Sequence, residues 1–142
     1  MRKVILFIFV VLCINCSIEY NGIFDFFVFD TVKFNSVEEL CYWVGTNIKY
    51  DNEKLERNDY RIQFPNETLL LRKGICTDAA VLIAAIAYYQ LHKESYIIIV
   101  DHHCLVEIDN TYYDTSGVVL LKDYDYKITN RFYFKEIFVK YF

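Results

Sequence analysis

The sequence predicts an α+β fold in which helices come first and an antiparallel sheet follows. Two observations support this class. Helix signals are found in residues 36–50 and 65–91, whereas residues 95–115 are rich in β-branched and apolar residues around a two-residue turn. A length of 142 residues with a hydrophobic content of 55% is enough for one domain with a packed core.

The N-terminus is typical of a secretory signal. Two basic residues precede an unbroken apolar run over residues 4–14, which is too short to cross a bilayer comfortably. The segment resembles a bacterial lipoprotein signal, in which a cysteine at the position of Cys16 is acylated, although Asn15 replaces the usual small residue. We therefore expect a signal over residues 1–15, export to the cell envelope or periplasm, and membrane attachment only through a lipid on Cys16. The alternative, an uncleaved anchor helix, also places the domain outside the cytosol.

Residues 16–35 are predicted as a lead-in with a short strand, and residues 36–142 as the folded domain. The net charge of −4 and the absence of a basic run argue against a nucleic-acid partner. No cofactor is expected, and the spacing of the cysteines does not indicate a zinc site, because the Cys-x-x-Cys pair of Cys13 and Cys16 belongs to the signal. A metal site built from the consecutive residues at positions 102–104 is disfavoured, because neighbouring strand residues point to opposite faces.

Ser36 and Glu39 form a predicted capping box, which starts a helix that runs to about Tyr50. Residues 51–64 are charged and polar, and are predicted as a surface loop. Residues 65–72 then form a short predicted helix, which Gly74 is placed to end in a left-handed conformation.

The next helix, from about residue 76 to about residue 91, has no polar face. A helix that is apolar all round is normally buried on every side, so this one is predicted to be central. It begins at Cys76, where the helix dipole and unpaired N–H groups favour a thiolate. The alternative is that Cys76 is one more buried structural cysteine.

Strands are predicted at residues 95–100, 103–108 and 111–115, with further strands in the tail from 118 to 142. Asp109 and Asn110 tolerate positive φ, so they predict a tight hairpin in which Leu105 lies opposite Asp114. His103 and Asp114 then share a face as diagonal neighbours.

The hairpin register therefore selects His103, because His102 falls on the other face. A slip of one residue would exchange the two histidines. Asp101 also lies on the face of His103 and is an alternative partner for it. A disulfide from Cys104 to Cys41 or Cys76 is a further alternative, and the Cys76 pairing would exclude thiol chemistry.

Four blocks in order resemble the bacterial transglutaminase-like superfamily, which has a papain-like fold. They are residues 43–50, residues 65–69, residues 72–80, and the paired segments 103–108 and 112–114. The resemblance covers about residues 37–117 and keeps the order cysteine, histidine, aspartate. It implies a core in which N-terminal helices, with a central buried helix carrying the cysteine, pack on an antiparallel sheet.

The resemblance implies Cys76 as nucleophile, His103 as base and Asp114 as the residue that orients the histidine. Gln63 lies where some relatives carry an oxyanion-stabilising side chain, and its alternative is an ordinary polar residue of a loop. The implied function is an exported thiol enzyme that hydrolyses or transfers acyl groups at peptide or amide bonds, with a peptide or protein substrate. The alternative is an inactive transglutaminase-like lipoprotein that acts as a binding module.

Overall fold

The computed structural model describes residues 32–116 and 127–136. Contacts divide the chain into two units, residues 1–32 and residues 33–142, and the fold is that of the second. The predicted signal, the acylated Cys16, most of the lead-in and most of the tail strands lie outside the described residues. No helix within the described ranges is long and apolar enough to cross a membrane.

Residues 134–136 are helical, although the tail was predicted as strands. Four further helices and six strands lie within the described residues. In chain order they are α1 (Val37–Asn47), β1 (Lys49–Tyr50), α2 (Asn52–Glu56), α3 (Pro65–Leu71), β2 (Lys73–Gly74), α4 (Cys76–Leu91), β3 (Ser95–Val100), β4 (His103–Ile108), β5 (Thr111–Asp114) and β6 (Asn130–Tyr133). The main sheet has the order β5-β4-β3-β6 and is antiparallel throughout, whereas β1 and β2 form a small parallel pair. The predicted α+β class is confirmed.

Helix α4 is the centre of the core, as predicted from its lack of a polar face. Every residue from 78 to 87 is buried. The buried Ser95 hydroxyl donates to the carbonyl oxygen of Ala84 at 3.1 Å, which ties the first strand of the sheet to this helix. Helix α1 contributes its apolar side to the same core through Val37, Leu40, Cys41 and Val44.

Helix α1 ends at Asn47, so the predicted end near Tyr50 was wrong. Ile48 is extended, and the N–H of Lys49 donates to the carbonyl oxygen of Arg72 at 2.9 Å, which turns the next residues into a strand. Ser36 caps the helix as predicted, since its hydroxyl accepts from the N–H of Glu39 at 3.2 Å. The Glu39 carboxylate instead accepts from the N–H of the residue before Ser36 at 2.9 Å.

Two further expectations for this region were wrong. The predicted loop over residues 51–64 contains α2, because the Asp51 carboxylate accepts from the N–H of Lys54 at 3.1 Å and caps a short helix. Helix α3 ends at Leu71, and its C-cap, Arg72, has the left-handed φ of 53° that was expected of Gly74. Gly74 lies in β2 instead, opposite Tyr50 of β1.

The β4–β5 hairpin has the predicted turn and register. Asp109 and Asn110 both have positive φ, of 51° and 60°. Leu105 pairs with Asp114 across the ladder. Because side chains alternate along a strand, this register places Asp114 on the face of His103.

Candidate active site

Cys76 is the first residue of α4, and the loop before it is held by one carboxylate. Asp78, fully buried in the first turn, accepts from the N–H of Ile75 at 2.9 Å through Oδ2. Its Oδ1 accepts from the N–H of Gln63 at 2.8 Å. Because the carboxylate binds both the residue before Cys76 and a distant loop, it fixes where the helix begins and hence where the thiol lies.

Lys54 neutralises that carboxylate inside the protein. Its Nζ lies 2.6 Å from Asp78 Oδ2, and the two side chains are 2% and 0% exposed. The same ammonium donates to the carbonyl oxygen of Arg61 at 2.6 Å. A buried charge is tolerated only when it is paired and hydrogen-bonded, and both conditions are met here.

Gly74 allows the strand to pass close to the first turn of α4. A Cβ at this position would lie 2.7 Å from Asp78 Cβ and 3.2 Å from Gln63 Oε1. Any larger residue would therefore push the strand away from the carboxylate that anchors the helix. The reason for glycine here is close approach, not the left-handed conformation that the sequence suggested.

His103 and Asp114 are joined by a hydrogen bond between Nε2 and Oδ2 at 2.8 Å. The other oxygen of Asp114 accepts from the N–H of Ser116 at 2.7 Å, which fixes the carboxylate. With Nε2 engaged, Nδ1 is the ring nitrogen left for the thiol. This is the pairing that the hairpin register predicted.

The three residues meet in one cleft of about 230 Å³, which Cys76, His103 and Asp114 all line. The cleft lies between the helical side of the domain and the end of the hairpin. Besides these three residues, its wall includes Ile48, Tyr50, Ile75, Ala79, Thr115 and Ser116. Apart from the three, no charged residue among those that the structure describes lines it.

The pKa of the Cys76 thiol is lowered to about 5. The largest cause is its hydrogen bond with the Cys104 thiol. Burial raises the pKa, whereas the hydrogen bond to His103 and the positive charge of that ring lower it further. The pKa of Cys104 is raised, first by the bond to Cys76 and then by burial. The negative charge therefore resides on Cys76, while Cys104 keeps its proton.

The pKa of His103 is raised to about 10, first by its hydrogen bond to Asp114 and then by its hydrogen bond to Cys76. The pKa of Asp114 is lowered to about 2, mainly by the bond to His103 and then by Ser116. Burial opposes both shifts. Near neutral pH the arrangement is therefore a thiolate, an imidazolium and a carboxylate in contact.

The structure also settles which competing residues stay outside the site. The His102 side chain is 95% exposed and lies 3.3 Å from Asp101, which thereby pairs with His102 and not with His103. Cys41, Cys76 and Cys104 are free thiols, so neither disulfide considered above is present. Within the described ranges, no cluster of three His, Cys, Asp or Glu side chains is arranged to hold a metal ion.

Gln63 is buried and is absent from the cleft wall. Its Oε1 accepts from the Thr68 hydroxyl at 3.0 Å, and its N–H binds Asp78. These contacts support the loop before Cys76, and an oxyanion role for Gln63 stays a prediction.

Sequence reasoning missed Lys54 and Tyr50. Lys54 lies in a segment whose charged and polar composition is typical of a surface loop, so nothing in the local sequence indicates that it is buried. Tyr50 was assigned to the end of a helix, whereas it lies in a strand at the cleft.

An α+β domain with a cysteine at the start of a central helix, beside a histidine and an aspartate on a hairpin, is of the transglutaminase-like class. The family described as transglutaminase-like domain matches residues 28–135, and the chain belongs to it. The chain is also similar to a UPF0252 protein of Methanocaldococcus jannaschii, with 31% identity over 98 residues. That alignment covers 55% of this chain and only 27% of the relative's length. No solved structure matches the chain significantly.

Proposed function

We propose that the protein is a thiol enzyme that hydrolyses or transfers acyl groups at peptide or amide bonds. The observation that carries this proposal is the meeting, in one cleft, of a cysteine at a helix N-terminus with a histidine held by a carboxylate. A nucleophile, its base and an orienting group within reach of one another define covalent catalysis of this kind.

The reaction begins when the Cys76 thiolate attacks the carbonyl carbon of the substrate and forms a tetrahedral intermediate. The His103 imidazolium then gives its proton to the leaving amine as the C–N bond breaks, which leaves an acyl group on sulfur. The neutral ring next takes a proton from water or from an acceptor amine as that molecule attacks the acyl carbon. The C–S bond then breaks, which releases the acyl group and restores the Cys76 thiolate and the His103 imidazolium. Asp114 holds the ring in place and stabilises its positive charge throughout.

We also propose that the enzyme acts on a peptide or protein in the cell envelope or periplasm. The support for this location is the sequence alone: two basic residues, an apolar run and Cys16 at its end. Membrane attachment would then come through a lipid on Cys16 and leave the cleft outside the cytosol.

The test measures the alkylation of Cys76 by iodoacetamide across pH, in full-length protein under reducing conditions. Mass spectrometry of the Cys76 peptide separates this thiol from the other cysteines. We expect a labelling midpoint near pH 5, from the lowered pKa of Cys76. In His103→Ala the midpoint should rise toward the ordinary thiol value of about 8.5, and in the matched control His102→Ala it should not move.

Turnover of amide and ester substrates is measured beside the alkylation. Cys76→Ala should abolish turnover without unfolding the protein, because Cys76 lies at the surface of the cleft and not in the core. Labelling that rises only near the ordinary thiol pKa, and is unchanged in His103→Ala, would overturn the enzyme proposal. The binding-module alternative would then be favoured.

A further inference from the structure

We propose that Tyr50 is a catalytic residue, whose phenol O–H donates a hydrogen bond to the oxyanion that forms when Cys76 attacks an acyl group. This inference rests on the proposed function and adds the group that stabilises its transition state. Acyl transfer requires donors aimed at the developing negative charge, and these usually supply the largest single contribution to catalysis.

The strand pairing places Tyr50 beside the nucleophile. Tyr50 in β1 pairs with Gly74 in β2, and Gly74 lies two residues before Cys76. Neighbouring strands lie about 4.8 Å apart, so the backbone of Tyr50 is fixed one strand spacing from the segment that leads into α4. Tyr50 and Cys76 both line the cleft.

The hydroxyl of Tyr50 is available to a substrate. The residue is 53% exposed although it is a large aromatic. No residue in the described part of the chain forms a hydrogen bond with this hydroxyl. Its pKa is raised, first by burial and then by the negative charge of Cys76, so the group keeps its proton at neutral pH.

The other side-chain donors are less well placed. Thr115 and Ser116 line the cleft at the end of the hairpin, directly after Asp114, and the Ser116 N–H is bound to that carboxylate. Gln63 is 3% exposed and does not line the cleft. Among the described residues that line the cleft, Tyr50 is therefore the side-chain donor on the strand that pairs with the segment before Cys76. There it complements the backbone N–H groups of the first turn of α4.

The experiment compares two reactions of Cys76 in full-length, reduced protein. Acylation by p-nitrophenyl acetate passes through an oxyanion, whereas alkylation by iodoacetamide displaces iodide without forming one. In Tyr50→Phe we expect the acylation rate constant to fall about 100-fold, while the alkylation rate stays within about twofold of the wild-type rate. Gln63→Met, which removes the competing candidate donor, is measured beside it. The control is Tyr42→Phe, which removes a hydroxyl from a residue of α1 that is 68% exposed and outside the cleft wall, and it should leave the acylation rate unchanged. Thermal unfolding and far-UV circular dichroism establish that all three variants are folded.

Three outcomes would overturn the inference. Acylation of Tyr50→Phe at the wild-type rate would show that the hydroxyl does not act. Equal loss of acylation and alkylation would show that Tyr50 acts on the thiolate itself. A loss confined to Gln63→Met would transfer the role to that residue. Failure of the proposed function looks different, because wild-type acylation would then be independent of Cys76 and His103.

Discussion

His103 and Asp114 are joined at 2.8 Å, although the strand ladder pairs Asp114 with Leu105 and not with the histidine. The contact is diagonal: both side chains leave the same face of the hairpin, and the ring reaches across one pleat. Because the contact uses Nε2, the hairpin determines which ring nitrogen faces the helix. The geometry of β4 and β5 thus selects the nitrogen that exchanges a proton with Cys76.

Asp114→Asn should lower the pKa of His103 from about 10 toward its ordinary value of about 6.5. The hydrogen bond to the carboxylate is the first cause of the raised value, and an amide cannot stabilise the imidazolium to the same degree. As pH rises, the ring of the variant should therefore lose its charge near neutrality, and the thiolate should lose its partner there. NMR titration of the His103 ring measures this directly.

The control for this titration is His102→Ala, which removes an exposed ring outside the cleft. It should leave the His103 titration and the alkylation profile of Cys76 where they are in the wild-type protein. A His103 ring that still titrates near pH 10 in Asp114→Asn would contradict the assigned role of the carboxylate.

Lys54→Met should destabilise the protein by about 3–5 kcal/mol, because it leaves the Asp78 carboxylate buried without a counter-charge. Urea unfolding measures the loss. The matched control is Lys93→Met, which breaks an ion pair with Asp109 of the same 2.6 Å length in which both side chains are exposed. That control should cost about 1 kcal/mol or less.

A double variant tests the cause of the Lys54 effect. Asp78→Asn in the Lys54→Met background removes the stranded charge while keeping one acceptor oxygen for the backbone N–H groups. It should recover part of the lost stability. Equal losses for Lys54→Met and Lys93→Met would mean that burial of the pair carries no energetic weight.

Gly74→Ala should cost about 1–3 kcal/mol, since its added methyl group would lie 2.7 Å from Asp78 Cβ. The strand must then move away from the first turn of α4. Gly45→Ala is the control, because it adds the same methyl group within helix α1, where alanine is favoured over glycine by about 1 kcal/mol. Denaturant unfolding gives the free energy of unfolding of both variants. A value for Gly74→Ala equal to that of the wild-type protein would refute the argument from close approach.

Arg131→Met should loosen strand β6. The guanidinium contacts both oxygens of Glu107, at 2.9 and 3.1 Å, and lies over the Tyr96 ring. The Glu107 carboxylate is only 10% exposed, so losing its partner should cost about 1–3 kcal/mol. Hydrogen exchange of the β6 amides, with unfolding in urea, measures the effect.

Arg61→Met is the comparison for this variant. Arg61 also contacts both oxygens of a glutamate, Glu67, but that carboxylate is 30% exposed and the guanidinium 56% exposed. Its removal should cost about 1 kcal/mol or less. If the β6 amides exchanged faster in Arg61→Met than in Arg131→Met, the ion pair between Glu107 and Arg131 would not be what holds β6 to the sheet.

The elements with strong local signals could be predicted from the sequence. Helix α4 follows from an apolar segment with no polar face, and β4 and β5 follow from β-branched runs around Asp109 and Asn110. The pairing of His103 with Asp114 was equally predictable, because a two-residue turn specifies register and register specifies the face. These features depend on residues near one another in the chain.

Only the tertiary structure decided how the cysteine is held. Lys54 and Asp78 are 24 residues apart, and the polar segment around Lys54 is indistinguishable from a solvated loop until the pair is buried. Tyr50 likewise lies in a strand because it pairs with Gly74, which comes after α3 in the chain. The sequence by itself determined the central helix, the hairpin and the choice of histidine, because each is encoded by local periodicity or turn chemistry. The buried ion pair, the short parallel strands and the position of Tyr50 depend on contacts between distant segments, which leave no local pattern.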